Sequence, residues 1–140
     1  MSWQPSGIIK SAGMRVQEGD VLPRILLVDD NPALVRMLRL ALISDGFDVA
    51  SAEDGEQALK RLDDDRFDLI ILDLQMPRMD GRTFYRVYRQ RGGQSPVIIL
   101  SAYGAASAQQ ELNAEAAIAK PFDPEVLLDT VKALLKQPAA

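Results

Sequence analysis

Five side chains stand where this sequence can most readily do chemistry. Asp29 and Asp30 follow the apolar run Ile25-Leu26-Leu27-Val28, and Asp73 follows Leu69-Ile70-Ile71-Leu72. Ser101 follows Val97-Ile98-Ile99-Leu100, and Lys120 stands in the final loop, just before Pro121-Phe122. Three carboxylates brought together repel one another and need a counter-charge. A hard cation such as Mg2+, held by Asp29, Asp30 or both, supplies one, and Lys120 supplies a second positive group. That set suits phosphoryl transfer. Asp73 is the candidate carboxylate nucleophile, and Lys120 and the Ser101 hydroxyl are placed to bind phosphoryl oxygens.

Composition removes most other chemistry. The chain has no cysteine and no histidine, which excludes disulfides, thiolate and imidazole metal sites, Ser-His-Asp catalysis and a phosphohistidine carrier. A net charge of −4, with no basic patch or stripe, gives no footprint for nucleic acid. No apolar run approaches the roughly 18 residues of a membrane span, and the N-terminus lacks the order of a secretory signal. The expected location is the cytoplasm, without membrane insertion.

The elements that must position these residues are legible in the same pattern. At 140 residues and 47% hydrophobic content the chain suits one domain with one core. The three continuously apolar runs read as strands buried on both faces, hence a parallel sheet covered by helices on either side. Weaker strands are expected at Asp48–Ser51 and Ala116–Ala119. Helices are expected from Pro32 behind Asn31, from near Gly55 behind Asp54, from Gly81 behind Asp80 and from Pro124 behind Asp123. Their core stripes read Leu34, Met37, Leu38, Ala41 and Leu42; then Ala58, Leu59 and Leu62; then Phe84, Val87 and Tyr88; then Val126, Leu127, Val131, Leu134 and Leu135. Further apolar positions of the last helix, Leu128 and Leu135 among them, read as a contact surface. Five β-α repeats imply a doubly wound α/β fold, in which ligands bind outside the carboxyl ends of the strands where the strand order reverses.

Residues 1–23, rich in Gly, Ser and Pro and without a sustained period, read as a flexible N-terminal tail in which only Trp3 offers to dock on the body. Whether the chain starts at Met1 or Met14 is open to either reading. Residues 24–137 form the expected domain.

Four motifs, in order and at the expected strand ends, resemble a known family. They are Leu27-Val28-Asp29-Asp30-Asn31, Asp73-Leu74-Gln75-Met76-Pro77-Arg78-Met79-Asp80-Gly81, Ser101-Ala102-Tyr103-Gly104 and Lys120-Pro121-Phe122. From about Arg24 to Gln137 the chain resembles the receiver domain of bacterial two-component response regulators. The resemblance implies a flavodoxin-like sheet in the strand order 2-1-3-4-5. It implies Asp73 as phosphoacceptor, a histidine kinase or histidine phosphotransfer protein as donor, and a downstream protein target. It also implies Mg2+ on Asp30 principally, with Asp29, Asp73 and the Gln75 main-chain carbonyl. Ser101 would move toward the phosphoryl group, Lys120 would pair with it beside a cis peptide before Pro121, and hydrolysis would release the phosphate.

Simpler readings apply to single residues. An acid after the first strand can merely cap a helix, although capping explains one acid and not two beside a third. Asp80 is better explained as a cap than as a ligand. Taken alone, Lys120 reads as a solvated lysine and Ser101 as a strand-end residue.

The sequence departs from the family in two places. Family members usually carry Tyr or Phe three residues before the lysine, where this chain has Ala117, and Tyr103 is the one nearby aromatic available to substitute. The segment from Ser101 to Lys120 is also short, so Ala105–Leu112 leaves room for about two helical turns. The surface it forms with the last helix is expected to bind partners in an unusual way.

With no second domain after the last helix, the leading expectation is a stand-alone phosphorylation switch acting through protein binding. A phosphorelay intermediate or phosphate sink is the close variant. An Asp-nucleophile phosphohydrolase lacks its usual D-x-D on the first strand, and a phosphorylation-independent interaction module is the remaining alternative.

Overall fold

Every strand of the main sheet begins at one edge of the domain and delivers its last residue to the other. In a computed structural model, which describes residues 8–10, 14–16 and 22–136, the strands are β3 (Arg24–Val28), β4 (Asp48–Ala52), β5 (Leu69–Asp73), β6 (Val97–Ser101) and β7 (Ala116–Ala119). All neighbours run parallel, in the order β4-β3-β5-β6-β7, which is 2-1-3-4-5 counted from Arg24. The register aligns Val28 with Leu72 and Asp73 with Leu100, so the acidic strand ends fall side by side.

The uninterrupted apolar runs are explained by the two covered faces. Alternate side chains point to opposite sides of a strand. Leu26, Val28, Ile70, Leu72 and Ile99 join one core, under α2 (Gly55–Asp64), α3 (Gly81–Gln90) and α4 (Ala105–Leu112). Ile25, Leu27, Leu69, Ile71 and Ile98 join the other, under α1 (Pro32–Ser44) and α5 (Pro124–Lys136). Each of these strand residues is 0% exposed, and burial of such a side chain contributes about 1.5–3 kcal/mol.

The helix starts follow the capping residues. Asn31 accepts the Ala33 and Leu34 N–H groups, Asp54 accepts from Gln57, and Asp80 accepts from Thr83. The fourth helix is as short as its sequence requires. It starts after Gly104 with no side-chain cap and ends at Asn113, whose φ of 59° is the left-handed conformation common at helix ends.

Four details differ from the helical and strand patterning. Met37 and Val126 are exposed, at 43% and 49%, while Val35 packs against the core and Leu128 is buried in it. Val35 and Met37 stand two positions apart, as do Val126 and Leu128, which is about 200° around a helix axis, so turning one of each pair toward the sheet turns the other toward solvent. Leu135, expected at once in the stripe and on a contact surface, is partly buried against the core. In α3, Tyr85 is buried beside the expected Phe84 and Tyr88. The second strand of the sheet runs one residue further than expected, to Ala52.

Ahead of the sheet, β1 (Ile8–Lys10) and β2 (Met14–Val16) pair antiparallel, with Ile9 opposite Arg15. The patterning of the first 23 residues carries no signal of this ladder. Trp3 and Gln137 lie outside the described residues.

Candidate functional site

Strand order reverses at β3 and β5, and the carboxyl ends of these two strands carry the acids. Asp29, just past β3, is 1% exposed. Its main-chain N–H donates to the Ala52 carbonyl at 3.1 Å, and its Oδ1 accepts the Asn31 N–H at 2.9 Å. Asp73 ends β5 and is 3% exposed, with its Oδ1 accepting the Gln75 N–H at 3.3 Å. Asp30 is exposed at the rim. One carboxylate oxygen from each of Asp29, Asp30 and Asp73 lies within 4.8 Å of the others.

Lys120 reaches this group from the loop after β7. Its Nζ donates to Asp29 Oδ2 at 3.1 Å and lies 3.4 Å from Asp73 Oδ1. The strand register explains the reach: the Lys120 N–H donates to the Ser101 carbonyl at 2.8 Å, and the Lys120–Pro121 peptide is cis. One lysine thus serves two buried carboxylates. Burial is the largest effect on Asp73 and pushes its carboxyl above the usual carboxylate range, with Asp29 adding to the rise. Lys120 and the Gln75 N–H pull the other way without cancelling it.

Ser101 ends β6 and is wholly buried. Its Oγ donates to the Tyr103 carbonyl at 2.7 Å and accepts the Tyr103 N–H at 3.2 Å and the Gln75 Nε2 at 3.3 Å. The resting hydroxyl is therefore engaged by its own loop and by Gln75. Sequence reasoning missed that side-chain contact, having considered only the Gln75 carbonyl. Tyr103 is 80% exposed, and Ala117 is half-buried on the α2–α3–α4 side of the sheet.

The loop after Asp73 is fixed at its base. The Gly81 N–H donates to the Leu74 carbonyl at 3.1 Å, and a Cβ on Gly81 would lie 2.5 Å from the Asp73 carbonyl oxygen. Only glycine lets α3 start this close to the end of β5.

The donor set suits a hard divalent cation. It offers carboxylate oxygens only, two of them buried and sharing a single lysine, so the cluster keeps excess negative charge. Among the described residues no helix is long and apolar enough to cross a membrane.

Comparisons with known proteins agree with this geometry. The family model described as response regulator receiver domain matches residues 25–132. The response regulator MprA of Mycolicibacterium vanbaalenii is 38% identical over 117 residues, which cover 81% of this chain and 51% of MprA. The alkaline phosphatase synthesis transcriptional regulatory protein PhoP of Bacillus subtilis is 36% identical, with 81% of this chain and 49% of that protein covered. The chain thus spans about half the length of these curated relatives. Among solved structures, the chemotaxis response regulator CheY4 of Vibrio cholerae superposes with a TM-score of 0.75 at 32% identity, covering 81% of this chain and 99% of that one. The response regulator TrrA of Thermotoga maritima, crystallised in complex with Mg2+-BeF, gives 0.74 at 33% identity, with 81% and 99% covered. With its flavodoxin-like sheet, its four motifs at the strand ends and a family match across most of its length, this chain belongs to the response-regulator receiver domains of two-component systems, a family of phosphoacceptors.

Proposed function

We propose that Asp73 accepts a phosphoryl group from a phosphohistidine donor, a histidine kinase or a histidine phosphotransfer protein, and that the adduct alters binding to a downstream protein. In the transfer an Asp73 carboxylate oxygen forms the new bond to phosphorus as the donor's N–P bond breaks, and the imidazole leaves with the electron pair. The observation that carries this reading is the under-satisfied state of Asp73: a buried carboxylate beside Asp29, with a shared lysine as its cationic partner.

Asp29, Asp30, Asp73 and the Gln75 main-chain carbonyl would hold Mg2+, which when bound neutralises charge on the phosphoryl oxygens. Lys120 would hold a further phosphoryl oxygen, a role supported by its contacts with Asp29 and Asp73. The Ser101 hydroxyl can turn from the Tyr103 carbonyl to donate to the phosphoryl group, and so transmit phosphorylation to the loop before α4. The adduct is lost by hydrolysis in the same pocket.

Intact mass after incubation with acetyl phosphate and Mg2+ tests the reading. Wild type will gain one phosphoryl group, and neither Asp73→Asn nor chelator-treated wild type will. An adduct retained by Asp73→Asn would place the acceptor elsewhere. Absence of any adduct, with beryllofluoride binding as a control for short lifetime, would leave an idle pocket and favour an interaction module.

A second reading, as a relay intermediate or phosphate sink, is favoured by Ala117 and by the exposed Tyr103, which leave no buried aromatic at the usual switch position. Rapid return of the phosphoryl group to a histidine protein would distinguish it.

A further inference from the structure

The corner between β4 and α2 carries an ion pair that phosphoryl transfer does not use. Asp54 is 1% exposed, and its Oδ2 accepts from Arg78 Nε at 2.8 Å while its Oδ1 caps α2 through Gln57. Arg78 lies three residues beyond Gln75, in the loop between β5 and α3. Its φ of 59° places a residue with a Cβ in the left-handed region, which costs about 1 kcal/mol or more. Glycine would fill that position without strain, and the cap is complete without arginine.

The same corner touches both acidic segments. Gly55 donates its N–H to the Met79 carbonyl at 3.3 Å, and a Cβ there would lie 2.8 Å from Met79 Cγ. On the other side the Ala52 carbonyl accepts the Asp29 N–H. Residues 52–55 therefore bridge the segment of Asp29 and Asp30 to the loop of Gln75.

We infer that Asp54 and Arg78 are positioning residues for the metal site: their ion pair fixes the Gln75 loop relative to Asp29 and Asp30. The inference rests on the Mg2+ site proposed above, in which neither side chain is a ligand. Mutation of groups that orient ligands from behind typically costs about 10–100-fold in metal affinity.

Calorimetric titration of the full chain with MgCl2, for wild type, Arg78→Gly, Asp54→Asn and the double variant, tests it. Glycine accepts the left-handed backbone and asparagine keeps the cap, so the fold survives both changes. Each single variant will bind Mg2+ roughly tenfold more weakly. The double variant will be no weaker than the singles, because one interaction is lost in all three. Hydrogen exchange of residues 75–80 without metal will accelerate in each.

A pure charge effect has the opposite sign at the two positions. Loss of the Arg78 cation would tighten Mg2+ binding and loss of the Asp54 anion would weaken it, and that pattern overturns the inference. Wild-type affinity in both single variants overturns it too, as does weaker binding with unchanged loop exchange. Failure of the wild type to bind Mg2+ would instead remove the metal site itself, and the inference with it.

Discussion

Asp54 is 1% exposed and Asp73 is 3% exposed, yet their surroundings move their proton affinities in opposite directions. The Gln57 N–H and the Arg78 guanidinium hold the Asp54 carboxyl below the usual range against the cost of its burial. At Asp73 burial and the Asp29 charge dominate, and a lysine shared between two acids does not restore the balance. The difference separates two uses of a buried carboxylate. One has its partners in the resting fold and serves to hold chain segments together. The other is left short of positive charge, as expected of the seat proposed above for a cation and a phosphoryl group.

Three variants test this contrast. Asp54→Ala removes a cap and the partner of Arg78, and will lower stability at pH 7 by about 2 kcal/mol in urea unfolding. Because the folded-state affinity of Asp54 for its proton is depressed, its contribution is present above the unfolded value, near pH 4, and is lost as pH falls through the lower folded value. The deficit of the alanine variant will therefore shrink in acid. A loss under about 0.5 kcal/mol would place Asp54 with exposed caps and break the contrast.

Asp73→Asn will do the reverse and raise stability at pH 7, although it removes the carboxylate proposed as phosphoacceptor. A raised folded-state value means that ionisation costs the fold stability as pH climbs past the unfolded value, with the full cost reached above the folded one. The gain over wild type will thus disappear below about pH 4. A destabilised Asp73→Asn at neutral pH would show that Lys120 satisfies Asp73 after all.

The smallest effect belongs to the amino edge of the sheet. Arg24 pairs there with Asp48 at 3.1 Å and with Asp65 at 3.4 Å, all three side chains being substantially exposed. Asp48→Asn will change stability by less than about 0.5 kcal/mol, and the change will fade in high salt. A larger cost would mean that location at a strand end, not burial, sets the energetic weight of such clusters.

The carboxyl end of the sheet was legible because its signals are mostly local. Apolar runs ending in acids specify strands and their last residues, and Asn31, Asp54 and Asp80 mark helix starts within three residues of the groups they cap. Lys120 with the acids was the long-range pairing that could be read, because all of them stand at strand ends; other pairings were not legible. Asp54 was readable as a cap, but its ion pair with Arg78 spans 24 residues and exists only once β4 and β5 are set in one sheet. The Gln75–Ser101 contact, 26 residues apart, is of the same kind. Helix rotation was the other gap: Val35 against Met37 and Leu128 against Val126 are decided by packing on the sheet, which periodicity alone does not contain.

A parallel sheet also fixes where this domain can be handled. Arg24 begins β3 at the edge opposite the acidic pocket, a strand of five residues and about 16 Å away. Helix α5 starts beyond Lys120 on the pocket side and travels back over 13 residues, about 20 Å, to Lys136. Fluorophores, surface tethers or fusion partners attached at Arg24 or Lys136 thus start from the edge opposite the acidic pocket.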